Sequence, residues 1–252
     1  GTLLQDFANA PRSYTLTGLV PNTTYYFNVI SQDEFGNKSA YGMLTQATQA
    51  DTTAPVPGSS GAISTTVVSE TRIDLSWIAA TDNYSTGSNI AYAVYQSSSS
   101  NLGTVANIEA NGTKIMDYTA STTSYSVTSL SYNTAYYFNV IVKDQYGNKA
   151  AYVAATATTL NDTHAPTVGT ASFSNVGLTA ISISWTAATD DFTAQNSIQY
   201  AIYKSTSNNI DTVANATTNG TLISAYSTGT GPVVASGLLP NTTYYFTVLA
   251  KD

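Results

Sequence analysis

Apolar and polar residues alternate strictly over several short runs. Ile73, Leu75 and Trp77 interleave with Arg72, Asp74 and Ser76, and Ile181, Ile183 and Trp185 repeat the pattern 108 residues later. Tyr136, Phe138, Val140 and Val142 likewise alternate with Tyr137, Asn139 and Ile141. A period of two, carried by β-branched and aromatic residues, predicts antiparallel strands with one buried face. Clusters of Gly, Asn, Asp and Ser separate the runs. The chain therefore reads as all-β, with about seven strands in each sandwich-like repeat. One kind of segment breaks the rule. At 98–112 and 206–220 an Asn or Asp cap followed by a short Ala-containing run predicts a turn or two of helix inserted after the third strand.

Self-similarity organises the whole chain. PNTTYYF at 21–27 recurs as YNTAYYF at 132–138 and as PNTTYYF at 240–246, spaced 111 and then 108 residues. Residues 75–113 align with 183–221 without a gap, with 20 of 39 positions identical, and DTTAP at 51–55 returns as DTHAP at 162–166. Solenoid units run to about 50 residues, so a period near 110 suits a folded domain per repeat. Phasing the copies aligns Gly1 with Gly112 and Asp252 with Asp144. Residues 1–50 then form the C-terminal part of one domain, 51–160 a complete one, and 161–252 one without its last strand. This phasing predicts a stretch of a longer array; completion of sandwiches by strand exchange between chains is the alternative.

Composition narrows the function classes. The 252 residues carry 8 basic and 15 acidic side chains, net −7, and only 9% are charged. Binding nucleic acid through phosphates calls for clustered Lys and Arg, which are missing. No apolar run approaches the ~18 residues of a membrane helix. Cysteine is absent, which removes disulfides, thiolate metal sites and Cys nucleophiles, and the single His164 lies in a linker. Adjacent carboxylates such as Asp190 and Asp191 do not straddle a sugar as glycoside hydrolysis requires. The reading is non-catalytic.

The thrice-repeated motif resembles the fibronectin type III family. It runs Leu19-Val-Pro21-Asn-Thr23-Thr-Tyr25, then Leu130 to Tyr136, then Leu238 to Tyr244, with alternating apolar positions after each Tyr. The resemblance implies a tandem array of immunoglobulin-like β-sandwiches, beads on a string. In each, Tyr25, Tyr136 or Tyr244 closes a corner with its hydroxyl bonded to upstream backbone. Trp77 and Trp185 fit the family's second-strand Trp. Tyr132 replaces the corner Pro in the middle copy, and a repeat of ~110 residues is long for a compact member. The outward Tyr of each pair, Tyr26, Tyr137 and Tyr245, is expected to face away from the core. The family resemblance further implies an extracellular, structural or adhesive array on a bacterial surface, serving as stalk, spacer or filament component. Its partners would be neighbouring repeats, other copies in a filament, or a surface ligand. The alternative is a set of spacer or binding modules in a large secreted polysaccharide-degrading enzyme.

Few as they are, the acidic residues sit in loops that this topology gathers at one pole. Asp82 and Asn83 follow the Trp strand, Asp144 and Asn148 lie in the hairpin KDQYGNK, and Asp51 stands where the chain arrives. The third copy repeats the set with Asn161, Asp162, Asp190, Asp191 and Asp252; the first retains only Asp33, Glu34 and Asn37. Carboxylates and amide oxygens converging at an interdomain pole suit Ca²⁺, which takes six to eight oxygen ligands. Ordinary turn chemistry, with Asp and Asn side chains bonding to loop backbone, accounts for the same residue types.

Overall fold

The computed structural model describes residues 1–7 and 13–252. Two units separate along the chain, Gly1–Leu160 and Asn161–Asp252. In the first copy β1 (Thr24–Phe27), β2 (Ile30–Gln32), β3 (Lys38–Ala40) and β4 (Leu44–Ala47) form a broken antiparallel hairpin, β1 pairing with β4 and β2 with β3. Val29 and Ile30 remain more than half exposed there, at 58% and 52%.

The middle copy builds a full sandwich. One sheet orders β5 (Ile63–Ser69), β6 (Arg72–Trp77) and β9 (Ser124–Val127), with β6 in the centre. The other runs from β8 (Thr113–Ala120) through β7 (Ala91–Ser97) to β10 (Ala135–Lys143). At its far side β11 (Lys149–Ala151) and β12 (Ala155–Thr158) both pair with β10, so the last strand is interrupted as in the first copy. Ile73, Leu75 and Trp77 from one sheet meet Tyr92, Val94, Phe138, Val140 and Val142 from the other, all nearly inaccessible. Trp77 lies 5.9 Å from the Tyr92 ring, whose hydroxyl accepts from the Ala80 amide at 2.8 Å.

The predicted helix is α1 (Val105–Asn111). Thr104, not the expected Asn or Asp, caps it, its hydroxyl accepting from the Asn107 amide, and the Gly112 amide bonds Ile108 O. A side chain at Gly112 would stand 2.7 Å from that same carbonyl, so the close chain reversal requires glycine. Seven residues are too few for a helix stable by itself; Ile108, fully buried with Leu102 against Ala93, Tyr95 and Ile141, holds it to the sheet.

That packing corrects one expectation. The alternation in β10 predicts a single buried face, yet Phe138 through Val142 are all buried. The segment containing α1 covers the outer face, and Asn139 donates to Leu102 O at 2.6 Å from inside that layer. Tyr137, expected to face outward, is half-buried in the same cluster, whereas Tyr26 is 67% exposed.

The second unit repeats the plan. β13 (Ala171–Ser174), β14 (Ile181–Trp185) and β17 (Val233–Ala235) make one sheet; β16 (Thr221–Thr228), β15 (Gln199–Ser205) and β18 (Tyr245–Lys251) make the other. Between β15 and β16 lies α2 (Val213–Asn219), capped by Thr212 as α1 is by Thr104. Trp185 and Tyr200 lie 5.4 Å apart, and the Tyr200 hydroxyl accepts from the Ala188 amide at 2.7 Å. The described residues include no helix long and apolar enough to cross a membrane.

Candidate functional site

The hairpin turn between β10 and β11 shows how local sequence places a carboxylate. Gly147 adopts φ +96°, a left-handed conformation open to glycine, and the turn folds back so that Asp144 O and N bond Gly147 N and Asn148 O. The Asp144 carboxylate then accepts from the amides of Tyr146 (2.9 Å) and Asn148 (2.8 Å), while its second oxygen accepts from Asn148 Nδ2 at 2.7 Å. The first copy builds the same turn: Asp33 accepts from Phe35 N, Asn37 N and Asn37 Nδ2, and Gly36 has φ +87°. The Asn37 side chain foremost, then backbone amides, hold the Asp33 carboxyl below its ordinary value.

In the middle copy two further carboxylates join this turn. Asp82 accepts from Tyr84 N and Ser85 N at 3.1 and 2.8 Å, and Asp51 accepts from Thr53 N at 3.0 Å. Oxygens of Asp51, Asp82 and Asp144 all lie within 4.8 Å of one another. Asp51 is 7% exposed and Asp144 2%. Neither Lys nor Arg pairs with any of the three among the described residues. Like charges at this range repel by roughly 3 kcal/mol per pair at an effective dielectric near ~20. Asp51 Oδ2, moreover, is buried without a donor.

The two amides serve this pole as donors. Asn148 Nδ2 reaches Asp51 O at 3.2 Å as well as Asp144, pinning the arriving chain to the hairpin. With its amide turned so that nitrogen and oxygen both meet complementary partners, Asn83 donates to the two oxygens of Asp82 at 3.2 and 3.3 Å.

The third copy gathers Asp162, Asp190 and Asp252 within the same 4.8 Å limit. Backbone amides of Thr193 and then Phe192 bond Asp190 and hold its carboxyl below the ordinary range, while its Oδ2 is buried without a partner. Asp191 goes elsewhere: it is exposed, with His164 Nδ1 at 3.4 Å and Asp162 in the same group. Asn161 is exposed. A linker position alone gave no sign that His164 would sit beside two carboxylates.

All three corner tyrosines bond alike. Tyr25, Tyr136 and Tyr244 accept through their hydroxyls from the amides of Val20 (2.9 Å), Ser131 (2.9 Å) and Leu239 (3.0 Å), each five residues upstream. Asn22, Asn133 and Asn241 hold the left-handed turn before them at φ 49°, 46° and 56°, a conformation Asn tolerates. Sequence reasoning missed a companion: Thr48 and Thr159 donate to Val20 O and Ser131 O at 2.6 Å and accept from Thr23 N and Thr134 N. Their recurrence 111 residues apart is the signal that could have found them. With this corner, the buried Trp and the strand order in hand, the fold is decided. The chain is a tandem array of fibronectin type III-like sandwiches.

The array has relatives among known proteins. Residues 55–159 match the family model described as TM7SF3-like, second immunoglobulin-like domain. Over 95% of its length the array is 31% identical to Exoglucanase B of Cellulomonas fimi, and over 80% it is 33% identical to Chitinase A1 of Niallia circulans. It spans only 20% and 24% of those proteins. Among solved structures it is similar to the chicken CNTN1 FN1–FN3 domains, at 21% identity, 93% coverage of this chain and 74% of that one, and a TM-score of 0.33.

Proposed function

We propose that this fibronectin type III-like array is an accessory spacer of a large secreted bacterial protein that degrades polysaccharide, outside the cell and without chemistry of its own. One observation carries the reading. Nearly the same stretch of chain aligns with a fifth of a protein named an exoglucanase and a quarter of one named a chitinase. A segment shared by enzymes with different named activities is poorly suited to carry the substrate-specific chemistry of either.

A stalk or filament component of a bacterial surface uses the same architecture, and the flanking chain separates the two readings. The test is the mass of the native polypeptide on a denaturing gel, with peptide mapping of the flanks. The spacer reading expects a mass several times 26.5 kDa, with peptides from a carboxylate-bearing catalytic domain. Flanks consisting of more sandwiches and a surface anchor would overturn it in favour of the adhesive array.

A further inference from the structure

We propose that Asp51, Asp82 and Asp144 hold a calcium ion, and that Asp162, Asp190 and Asp252 hold another in the second unit. Turn chemistry explains part of each group and leaves a remainder. It accounts for Asp144 and Asp82, whose oxygens bond loop amides. It leaves Asp51 Oδ2 buried and without a donor, on a residue 7% exposed whose carboxylate is grouped with two more. A buried carboxylate oxygen without a donor is a strongly unfavourable feature unless a cation satisfies it.

Asp33 and Asn37 reproduce the hairpin turn bond for bond, so turn chemistry accounts for the bonds to Asp144. In the second and third copies two further carboxylates converge at repeat-equivalent positions, and each group contains one buried oxygen without a donor, Asp51 Oδ2 in one and, on the counterpart of Asp82, Asp190 Oδ2 in the other.

The donor set selects the ion. Each group is carboxylate oxygen throughout, which favours a hard cation over zinc or copper. The ligands come from three separated loops, with the remaining positions open to solvent at the half-buried Asp82. Calcium tolerates such irregular, partly hydrated coordination, whereas magnesium demands a near-ideal octahedron. An ion in the middle copy would clamp residues 51–53 to the loops after β6 and β10, reinforcing the Asn148-to-Asp51 bond that already pins them.

The test uses the full chain, stripped with EDTA and titrated with CaCl₂ by calorimetry and thermal unfolding. One ion per group is expected, with Kd of about 10⁻⁴–10⁻³ M as in extracellular modules. At about 5 mM calcium, the corresponding transitions should rise by roughly 4 °C or more. Asp51→Asn keeps the oxygen that caps Thr53 but removes one charge. It should lose the middle ion, melt above the unsubstituted chain in EDTA and below it in calcium. Asp33→Asn should leave the stoichiometry unchanged. An unsubstituted chain that binds no calcium at about 10 mM overturns the proposal whatever the variants do. So does an Asp51→Asn chain that folds and binds as many ions, or an equal shift from magnesium or from sodium at matched ionic strength.

Discussion

At the scale of single residues, burial and bond count rank the corner contacts alike. The Tyr136 hydroxyl accepts one amide bond at an accessible rim, so water can replace it, and Tyr136→Phe should cost about 1 kcal/mol. Thr159 is 3% exposed and its hydroxyl serves both Ser131 O and Thr134 N. Thr159→Val leaves both groups short of a partner and should cost more, about 2–3 kcal/mol. Urea unfolding of the two variants checks the order; a larger loss for Tyr136→Phe would refute it. Asp33 gives a pH prediction. Its folded pKa lies below the ordinary 3.8 because Asn37 and backbone amides bond the ionised form. The stability it contributes is complete above the unfolded value and is lost as pH falls through the depressed folded one. A carbon-13 titration should give Asp33 a midpoint below 3.8, with Asn37→Ala moving it upward. The Tyr corners were legible in the sequence because the motif occurs three times; Thr159 was not, since a Thr at a strand end has no periodicity within its strand and only its match to Thr48 marks it.

At the scale of elements, α1 behaves as a lid on a sheet face, and Ile108 is the side chain that fastens it. Ile108→Ala would open a cavity among Leu102, Tyr95 and Ile141 and should cost about 2–5 kcal/mol. Thermal unfolding of the variant measures this. The third copy already has Ala216 at the equivalent place, packed with Ile210 and Leu249, so its helix relies on other contacts. The helix itself was legible from the Ala-containing run, but its cap was misread, since the Thr104 hydroxyl does the work expected of an Asn or Asp. The helix's effect on β10 was not legible: Ala93, Asn139 and Ile141 read as an outer face, and only the apolar Ile141 hinted that something would cover it. Alternation reports which residues share a face and leaves open whether that face meets solvent.

At the scale of the molecule, the core of the middle sandwich lies wholly within the repeat boundaries. Every member of its main cluster falls between Ile63 and Ala157, so residues 51–160 should fold alone. Calorimetry of that fragment should give one two-state transition with an enthalpy of about 75 kcal/mol. A broad, low-enthalpy melt would show that it needs its neighbours. The acidic pole was legible in outline, because Asp51, Asp82 and Asp144 recur in the next copy as Asp162, Asp190 and Asp252. The amide roles were not, since sequence cannot tell whether Asn148 and Asn83 present oxygen or nitrogen. Function was legible least of all, because a sandwich fold does not by itself determine a role.

The bond from Asn148 to Asp51 has a genealogical consequence. Asp51 precedes the first strand of its sandwich by a dozen residues, yet its contacts are with that sandwich's loops. A duplication copying strands alone would produce a module missing its acidic third, while one starting at the D-T-x-A-P segment carries the complete set. The heritable unit of this array therefore begins in what looks like connecting chain. Recombination between such arrays should conserve reading frame at that segment rather than at the edge of the β-structure.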